Sequence, residues 1–276
     1  MATFQTLPFF SYRIGKYELI LLAEKQTTRD LSIFTGLPSE LTSEDAPKTY
    51  PNAINAFLLK TQEGIYLFDS GFGDGLLERL KEINVSPKDI SKIFITHMHP
   101  DHIGGLIRIG APLFDQAQLI ISQAEYDYWN NSEIEKLAPE AVRPVFTRAQ
   151  EVFTKYRRRL ELIIPYAIHE PFEDGVEPVE AYGHTVGHTA YLISSGKDQL
   201  LIWGDLALAV DIQLPYPDVT ANYDINASKA VRNRRRILSY LAQHQVPVAG
   251  THIAYPGIGT VVENPDTGGY KFIPLE

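Results

Sequence analysis

The chain has 276 residues, enough for one large domain or two small ones, and its 44% hydrophobic and 21% charged content is ordinary for a globular protein. The formal net charge of −9 argues against a nucleic-acid partner, because a surface that binds a phosphate backbone needs clustered lysine and arginine. The chain contains no cysteine, which excludes disulfides, thiolate metal ligands and cysteine nucleophiles.

The first part of the chain predicts strands interrupted by one polar stretch. Strands are expected over residues 9–14, 17–22, 55–60, 65–68 and 93–95, and a helix over residues 76–83. Residues 25–52 are polar and contain three prolines, so we expect a surface excursion near the site there.

The rest of the chain alternates strands with helices. Strand patterns cover residues 118–122, 162–164, 176–181, 191–194, 200–203 and 246–249. A long helical insertion is expected over residues 124–160, a helix over 227–244, and a closing hairpin around 266–269. No linker divides the chain, so residues 1–276 are predicted to form a single α/β domain.

No membrane partner is expected from the apolar pattern. No segment approaches the roughly 18 consecutive apolar residues of a membrane span. The first residues also lack the basic start and apolar run of a signal peptide, which makes the cytoplasm the expected location.

The strongest chemical signal lies in residues 93–105, which read IFITHMHPDHIGG. Four side chains that can bind metals follow the predicted strand within six positions, namely His97, His99, Asp101 and His102. Pro100 has no N–H to donate, so the ladder is expected to stop and a loop to follow. Imidazoles and a carboxylate together suit a borderline or hard divalent ion such as zinc, so this stretch predicts a metal site.

Three later residues also follow apolar runs, each with a glycine close before it: His188, Asp205 and His252. With the first four they make five histidines and two aspartates. One ion cannot use seven such ligands at tetrahedral or octahedral geometry, whereas two ions that share a bridging carboxylate can. The sequence therefore predicts a dinuclear site.

The motif His97-Met-His99-Pro-Asp101-His102 resembles the HxHxDH signature of the metallo-β-lactamase-fold superfamily. The resemblance implies a four-layer αβ/βα sandwich of two mixed sheets flanked by helices. It implies two divalent ions, most consistent with Zn²⁺, with His97, His99 and His188 on the first, Asp101, His102 and His252 on the second, and Asp205 as the bridge. It also implies that Asp69 orients a ligand histidine.

Motifs in the second half resemble the branch that contains methyl parathion hydrolase and related lactonases, above all residues 252–259, which read HIAYPGIG. In that branch aromatic residues line a leaving-group pocket, and the comparable positions here are Phe72, Trp129 and Phe146. Homoserine-lactone lactonases carry a tyrosine three residues after the bridging aspartate, where this chain has Leu208. Either Tyr255 or Tyr223 is a candidate to replace it in the pocket.

Other branches of the family fit the sequence less well. Antibiotic-hydrolysing lactamases often have a cysteine at the position of Asp205. The RNA-processing branch needs an extended basic arm, and the glutathione thioesterases need basic C-terminal contacts that are not found in this sequence.

Three functions remain open from the sequence. The first is a metal-dependent hydrolase of lactones, carboxylic esters or organophosphate triesters, in which a bridging hydroxide attacks and Asp101 or Asp205 moves the proton. The second is a phosphodiesterase or thioesterase acting on an anionic metabolite, for which Arg108, Arg143 and Arg148 are the candidate cations. The third is a non-enzymatic metal-binding relative. The expected partner is a small-molecule substrate, and family analogy allows a homodimer.

Overall fold

A computed structural model describes residues 9–168 and 174–276, so the N-terminal stretch used above to predict location lies mostly outside the described part. The strands are β1 Ser11–Ile14, β2 Tyr17–Asp30, β3 Phe34–Thr35, β4 Thr49–Lys60, β5 Ile65–Phe68, β6 Ile90–Phe94, β7 Ile107–Arg108, β8 Ala111–Pro112, β9 Gln118–Ser122, β10 Leu160–Ile163, β11 Gly175–Glu180, β12 Thr189–Ser195, β13 Asp198–Ile202, β14 Thr220–Ala221, β15 Val248–Ala249, β16 Ile258–Asn264 and β17 Gly269–Pro274. The α-helices are α1 Ser39–Thr42, α2 Leu76–Glu82, α3 Pro100–Ile103, α4 Gln123–Trp129, α5 Ser132–Leu137, α6 Arg143–Tyr156, α7 Val210–Gln213 and α8 Ala227–His244. Within this part of the chain no helix is both long and apolar enough to cross a bilayer.

Two mixed sheets form the centre of the molecule. The first has the order β1-β2-β4-β5-β6-β9-β10, antiparallel as far as β5 and parallel from β5 to β10. The second has the order β11-β12-β13-β15-β16-β17, in which only β13 and β15 are parallel. The predicted sandwich of two mixed sheets flanked by helices is confirmed.

Alternating side chains of the central strands build three apolar layers. In β2, Leu19 and Leu21 face the second sheet, where they meet Tyr191 and other residues of β12 and β13. Ile20 and Leu22 face the other way, toward helices α2, α4 and α6. On the far side, α8 packs its apolar face on the second sheet. Both faces of the central strands are therefore buried, which is why they read as nearly continuous apolar runs.

The prediction of a surface excursion over residues 25–52 was wrong at both ends. Strand β2 continues to Asp30 and pairs with β4, which already begins at Thr49, so only residues 31–48 leave the strand pair. A β-bulge between Ala23 and Lys25 re-aims β2, after which one face of the pair is exposed and polar. The polar composition therefore reflects a half-exposed strand pair, which we call the β2–β4 arm (residues 25–30 and 49–54).

Candidate metal centre

The histidine-rich stretch lies at the carboxyl ends of the parallel strands β5 and β6. Asp69 follows β5 and accepts hydrogen bonds from the backbone N–H and the hydroxyl of Thr96, both at 2.8 Å. Pro100 occupies the first turn of the short helix α3 instead of a loop, because a residue without an N–H is tolerated at a helix start. The helix carries Asp101 and His102, and His102 lies next to Asp69 at the end of β5.

The described residues contain two groups of side chains that could hold a metal ion. The first comprises His97, His99, His184 and Asp205, and the second comprises Asp101, His102 and His252. Within each group, one ligand atom per residue lies within 4.8 Å of the others. The structure thus brings together six of the seven ligands predicted from the sequence.

Asp205 faces both groups. Its Oδ1 lies 3.1 Å from Nε2 of His102 and 3.2 Å from Nε2 of His252. Its Oδ2 lies 3.2 Å from Nε2 of His184 and 3.7 Å from Nε2 of His97. One carboxylate oxygen therefore points at each group, which is the geometry that a bridging ligand requires.

His188, which the sequence predicts as a metal ligand, lies in neither group. The backbone N–H of Asp205 donates to Nε2 of His188 at 3.0 Å, and Nδ1 lies 2.9 Å from the carbonyl of Ala181. Both ring nitrogens are thus engaged with the backbone, and His188 positions Asp205. His184, four residues earlier in the same Gly-His repeat, is the residue that enters the first group.

Three of the grouped histidines are oriented through their Nδ1 atoms. Nδ1 of His102 lies 2.7 Å from Oδ2 of Asp69, and Nδ1 of His184 lies 2.9 Å from Oδ1 of Asp224. Nδ1 of His252 lies 2.8 Å from the carbonyl of Ala53. These contacts fix the rings so that Nε2 remains for a ligand, and Asp69 has the place that the sequence predicted for it.

Burial and charge act against each other in this cluster. Burial lowers the pKa of His99 to about 3, helped by neighbouring His184. Burial also opposes the charged form of His184, yet its contacts with Asp205 and Asp224 raise its pKa to about 9. Burial disfavours the Asp205 carboxylate, but attraction to His252 and His102 holds its pKa well below the usual range.

The residues present fit two divalent ions. Nε2 of His102 and Oδ1 of Asp205 are buried without an aligned hydrogen bond, although they lie 3.1 Å apart. Leaving such groups unsatisfied costs about 1–3 kcal/mol each. Imidazole nitrogens and carboxylate oxygens are donors that zinc and similar ions accept, so a cation between these atoms would satisfy both.

A cleft of about 910 Å³ opens above both groups. Of the predicted pocket residues, Phe72, Trp129 and Leu208 line it. Phe146 does not, because it is fully buried in the core behind Trp129, with ring centroids 4.7 Å apart. Tyr255 does not line the cleft either, because it packs against Phe10.

The candidate cations Arg108, Arg143 and Arg148 all lie outside the residues that line the cleft. Arg148 pairs with Glu151 at 2.8 Å and donates to the carbonyl of Gly104. Arg143 donates to the backbone carbonyls of Lys136 and Ala138 at the end of α5, and Arg108 is exposed. The basic residues that do line the cleft are Lys25 and Arg29.

Glu125 is a site residue that the sequence prediction missed. Its buried carboxylate accepts hydrogen bonds from the backbone N–H of Met98 at 3.1 Å, the backbone N–H of Gly187 at 2.8 Å and the indole N–H of Trp129 at 2.7 Å. It therefore joins both histidine loops to the wall of the cleft. In the sequence it is only an acid in the first turn of α4, a common feature of helix starts.

Comparison with known proteins gives a consistent pattern. The family model of the metallo-beta-lactamase superfamily matches residues 49–244. AidC, a dizinc quorum-quenching lactonase solved with a product, is 27% identical, with a TM-score of 0.84 over 97% of both chains. The hydrolase AbOPH of the beta lactamase superfamily is 23% identical, with a TM-score of 0.86 over 99% of both chains, and this likeness shows the fold alone. Zinc phosphodiesterase ELAC protein 1 of Mus musculus is 28% identical over 134 residues, which cover 47% of this chain but only 33% of that protein.

Proposed function

The chain belongs to the metallo-beta-lactamase superfamily of metal-dependent hydrolases, and on that premise we propose that it uses two divalent ions to cleave a lactone, a carboxylic ester or an organophosphate triester. The observation that carries the proposal is the shared position of Asp205 between two ligand groups at the floor of a cleft. The similarity to a dizinc lactonase over nearly the whole chain also supports it.

We assign His97, His99 and His184 to one ion, Asp101, His102 and His252 to the other, and Asp205 to both. Zinc is the proposed metal, since the donors are imidazoles and carboxylates and AidC is a dizinc enzyme. When bound, the ions supply a water of lowered pKa as nucleophile and polarise the oxygen of the scissile bond.

Side chains of the protein position the proposed ligands and transfer the proton. His188 holds the backbone of Asp205, and Gly204 allows the close approach, because a Cβ there would lie 2.5 Å from Nε2 of His188. Asp101 is more accessible than Asp205, with 17% against 4% of its side chain exposed. We therefore assign to the Asp101 carboxylate the transfer of a proton from the attacking water to the leaving group.

The walls of the cleft suggest the kind of substrate. One wall consists of apolar residues from α5, α6 and their connection, namely Ile134, Leu137, Ala138, Ala141, Val142 and Val145. Phe72, Trp129 and Leu208 continue it toward the ligand groups. An aryl or acyl group would bury apolar area there, which supports the methyl parathion hydrolase and lactonase branch as the proposed affiliation.

A second candidate function is phosphodiester hydrolysis, which the similarity to a zinc phosphodiesterase favours. That similarity covers about half of this chain and a third of that protein. The net charge of −9 disfavours a long polyanionic substrate, so this candidate concerns a small diester.

The first test combines rates with metal content. Zinc-loaded protein is assayed on a homoserine lactone, an aryl ester, an aryl phosphotriester, a phosphodiester and a glutathione thioester, and bound metal is counted on the same sample. Two ions per chain with activity on the first three substrates support the proposal. Activity confined to the diester or thioester supports the alternative, and two ions with no turnover would indicate a metal-binding relative without catalysis.

The assignment of His184 is tested by matched histidine variants. His184→Ala removes a ligand, so we expect it to bind one ion fewer and to lose most activity. His188→Gln leaves the ligand set intact, so we expect two ions with lower turnover, because outer contacts of this kind typically change affinity or activity by about 10–100-fold. His244→Ala, at the end of α8, is the control. Loss of metal in the His188 variant alone would overturn the assignment.

A further inference from the structure

The wall of the cleft opposite the apolar helices is the β2–β4 arm. After the bulge at Glu24, Lys25, Thr27 and Arg29 occupy alternate positions of β2 and line the cleft. Their partners in β4 are Ile54, Asn52 and Tyr50, in that order. The arm therefore presents two cations and several polar groups toward the substrate space.

Neither cation of the arm has a carboxylate partner in the described part of the chain. Arg29 is half-buried and lies over the ring of Tyr223, 5.8 Å from its centroid. Arg234 shows the contrast with an arginine that has a structural role, because it is 2% exposed and donates hydrogen bonds to three backbone carbonyls.

The carboxylates of the cleft do not need these cations as counter-charges. Asp224 is paired with His184 at 2.9 Å. Asp205 lies within 3.2 Å of three imidazoles, and Asp101 lies 3.6 Å from His252. The positive charge of Lys25 and Arg29 is therefore left to face whatever enters the cleft.

Unsatisfied polar atoms lie beside Arg29 on the same arm. Oδ1 of Asn52, which lines the cleft and is 2% exposed, has no hydrogen-bond partner in the described part of the chain. The hydroxyl of Tyr50, the cross-strand partner of Arg29, is buried and also lacks one there. Buried polar groups are normally satisfied by protein or by water, so Oδ1 of Asn52 offers an acceptor to a polar group that enters the cleft, whereas Tyr50 does not line it.

We propose that Arg29 binds a carboxylate of the substrate, located on the part of the molecule away from the scissile bond, and that the charge of Lys25 strengthens this binding. The guanidinium of Arg29, whose Cζ lies 5.8 Å from the ring centroid of Tyr223, has N–H groups that can donate two parallel hydrogen bonds to a carboxylate. Lys25 adds a second positive charge to the same wall of the cleft. Asn52 accepts a donor from the neighbouring part of the ligand. The inference rests on the proposed function and narrows it: the substrate is an ester or lactone with an apolar group for the helical wall and an anionic group for the arm.

The test uses aryl esters that differ only at the far end of the acyl chain, which carries a methyl, a carboxylate, a phosphate or a trimethylammonium group. We expect the carboxylate ester to have a kcat/KM about tenfold above the methyl ester, through KM, and to lose this advantage as salt is raised. A stronger preference for the phosphate end would identify phosphate as the ligand class instead. Equal rates for the methyl and carboxylate ends would overturn the proposal.

Variants of the arm show which residues produce the preference for the carboxylate ester. Arg29→Gln should raise KM for the carboxylate ester about tenfold without lowering its kcat, and should affect the methyl ester much less. Arg29→Lys should retain part of the preference for the carboxylate ester. Lys25→Gln should have a smaller effect in the same direction. Arg108→Gln, which is exposed and outside the cleft, is the matched control. An equal loss on both esters in the Arg29 variant would indicate a structural role only and would overturn the proposal.

A binding experiment tests the inference separately from the proposed function. If no ester is hydrolysed, the proposed function fails, and amide analogues of the carboxylate and methyl esters are titrated calorimetrically into the zinc-loaded protein. Tighter binding of the carboxylate amide, lost in the Arg29→Gln variant, supports the inference on its own. Equal binding of the two amides contradicts it.

Discussion

At the scale of single residues, Glu125 connects the parts of the site that the chain order keeps apart. Glu125 accepts a hydrogen bond from the backbone N–H of Met98, which lies between His97 and His99. Glu125 also accepts a hydrogen bond from the backbone N–H of Gly187, which belongs to the loop that carries His184. Burial raises the pKa of Glu125, while its hydrogen bonds act in the opposite direction. One carboxylate therefore holds two ligand loops and the indole of Trp129 in register.

We predict that Glu125→Gln weakens both metal binding and stability. The amide has only one acceptor oxygen, so at least one of the three donors loses its partner, at a cost of about 1–3 kcal/mol. Zinc affinity should fall about 10–100-fold, because the ligand loops lose their common anchor. Competition with a chromophoric chelator measures the affinity, and thermal unfolding measures the stability. Glu133→Gln on exposed α5 is the control, and an unchanged affinity in the Glu125 variant would refute the role.

The sequence predicts those members of the two groups that a local motif or a strand end identifies. His97, His99, Asp101 and His102 follow from their spacing alone, and Asp205 and His252 follow from their place after apolar runs. The choice between His184 and His188 depends on how the turn between them packs. Glu125 and Asp224 act through partners more than 25 positions away, which no local pattern reveals.

At the scale of elements, the apolar periodicity predicts the strands of both sheets and the helices α2 and α8, because each buries a face of its own. Residues 25–30 are different. Their exposed face is polar, and Pro51 in the partner strand looks like a strand breaker. The pairing that makes them a strand comes from the sheet beside them, so it cannot be predicted from the segment itself.

The α5–α6 connection provides a prediction about the apolar wall. Leu137 lines the cleft although it is 88% exposed. Leu137→Asp should therefore change stability by less than about 0.5 kcal/mol and raise KM several-fold for esters with long acyl chains, with little effect on acetyl esters. Steady-state rates on a chain-length series measure this effect.

The matched control for the wall is Ile109→Asp, an apolar residue that is 98% exposed and does not line the cleft. It adds the same charge to the molecule away from the site. If both variants change KM alike, the effect is one of net charge, and Leu137 has no part in binding.

At the scale of the whole molecule, the site exists only where the two halves of the chain meet. His97, His99, Asp101 and His102 follow the first sheet, whereas His184, Asp205 and His252 belong to the part of the chain that builds the second. The two groups each contain residues from both halves. Bound ions would therefore stabilise the packing of one sheet against the other.

We predict that metal removal lowers the unfolding temperature in one cooperative transition. Ions present at about 1,000 times their dissociation constant contribute about 4 kcal/mol each, which corresponds to a shift on the order of 10 °C for a chain of this size. Calorimetry with and without chelator measures the shift, and added zinc should restore it. A single transition would support the proposed single domain. Two ions removed without any shift would contradict the inter-sheet role.

The bulge in β2 separates a part of the strand that packs in the core from a part that lines the cleft. Residues before it fill the core, where Leu19, Ile20 and their neighbours leave almost no freedom to vary. Lys25, Thr27 and Thr28 after it are exposed and line the cleft, so they can be exchanged without disturbing buried packing. A single extra residue, Glu24, thus makes the arm a place where substrate preference can diverge, by natural selection or in a mutant library, on an unchanged catalytic scaffold.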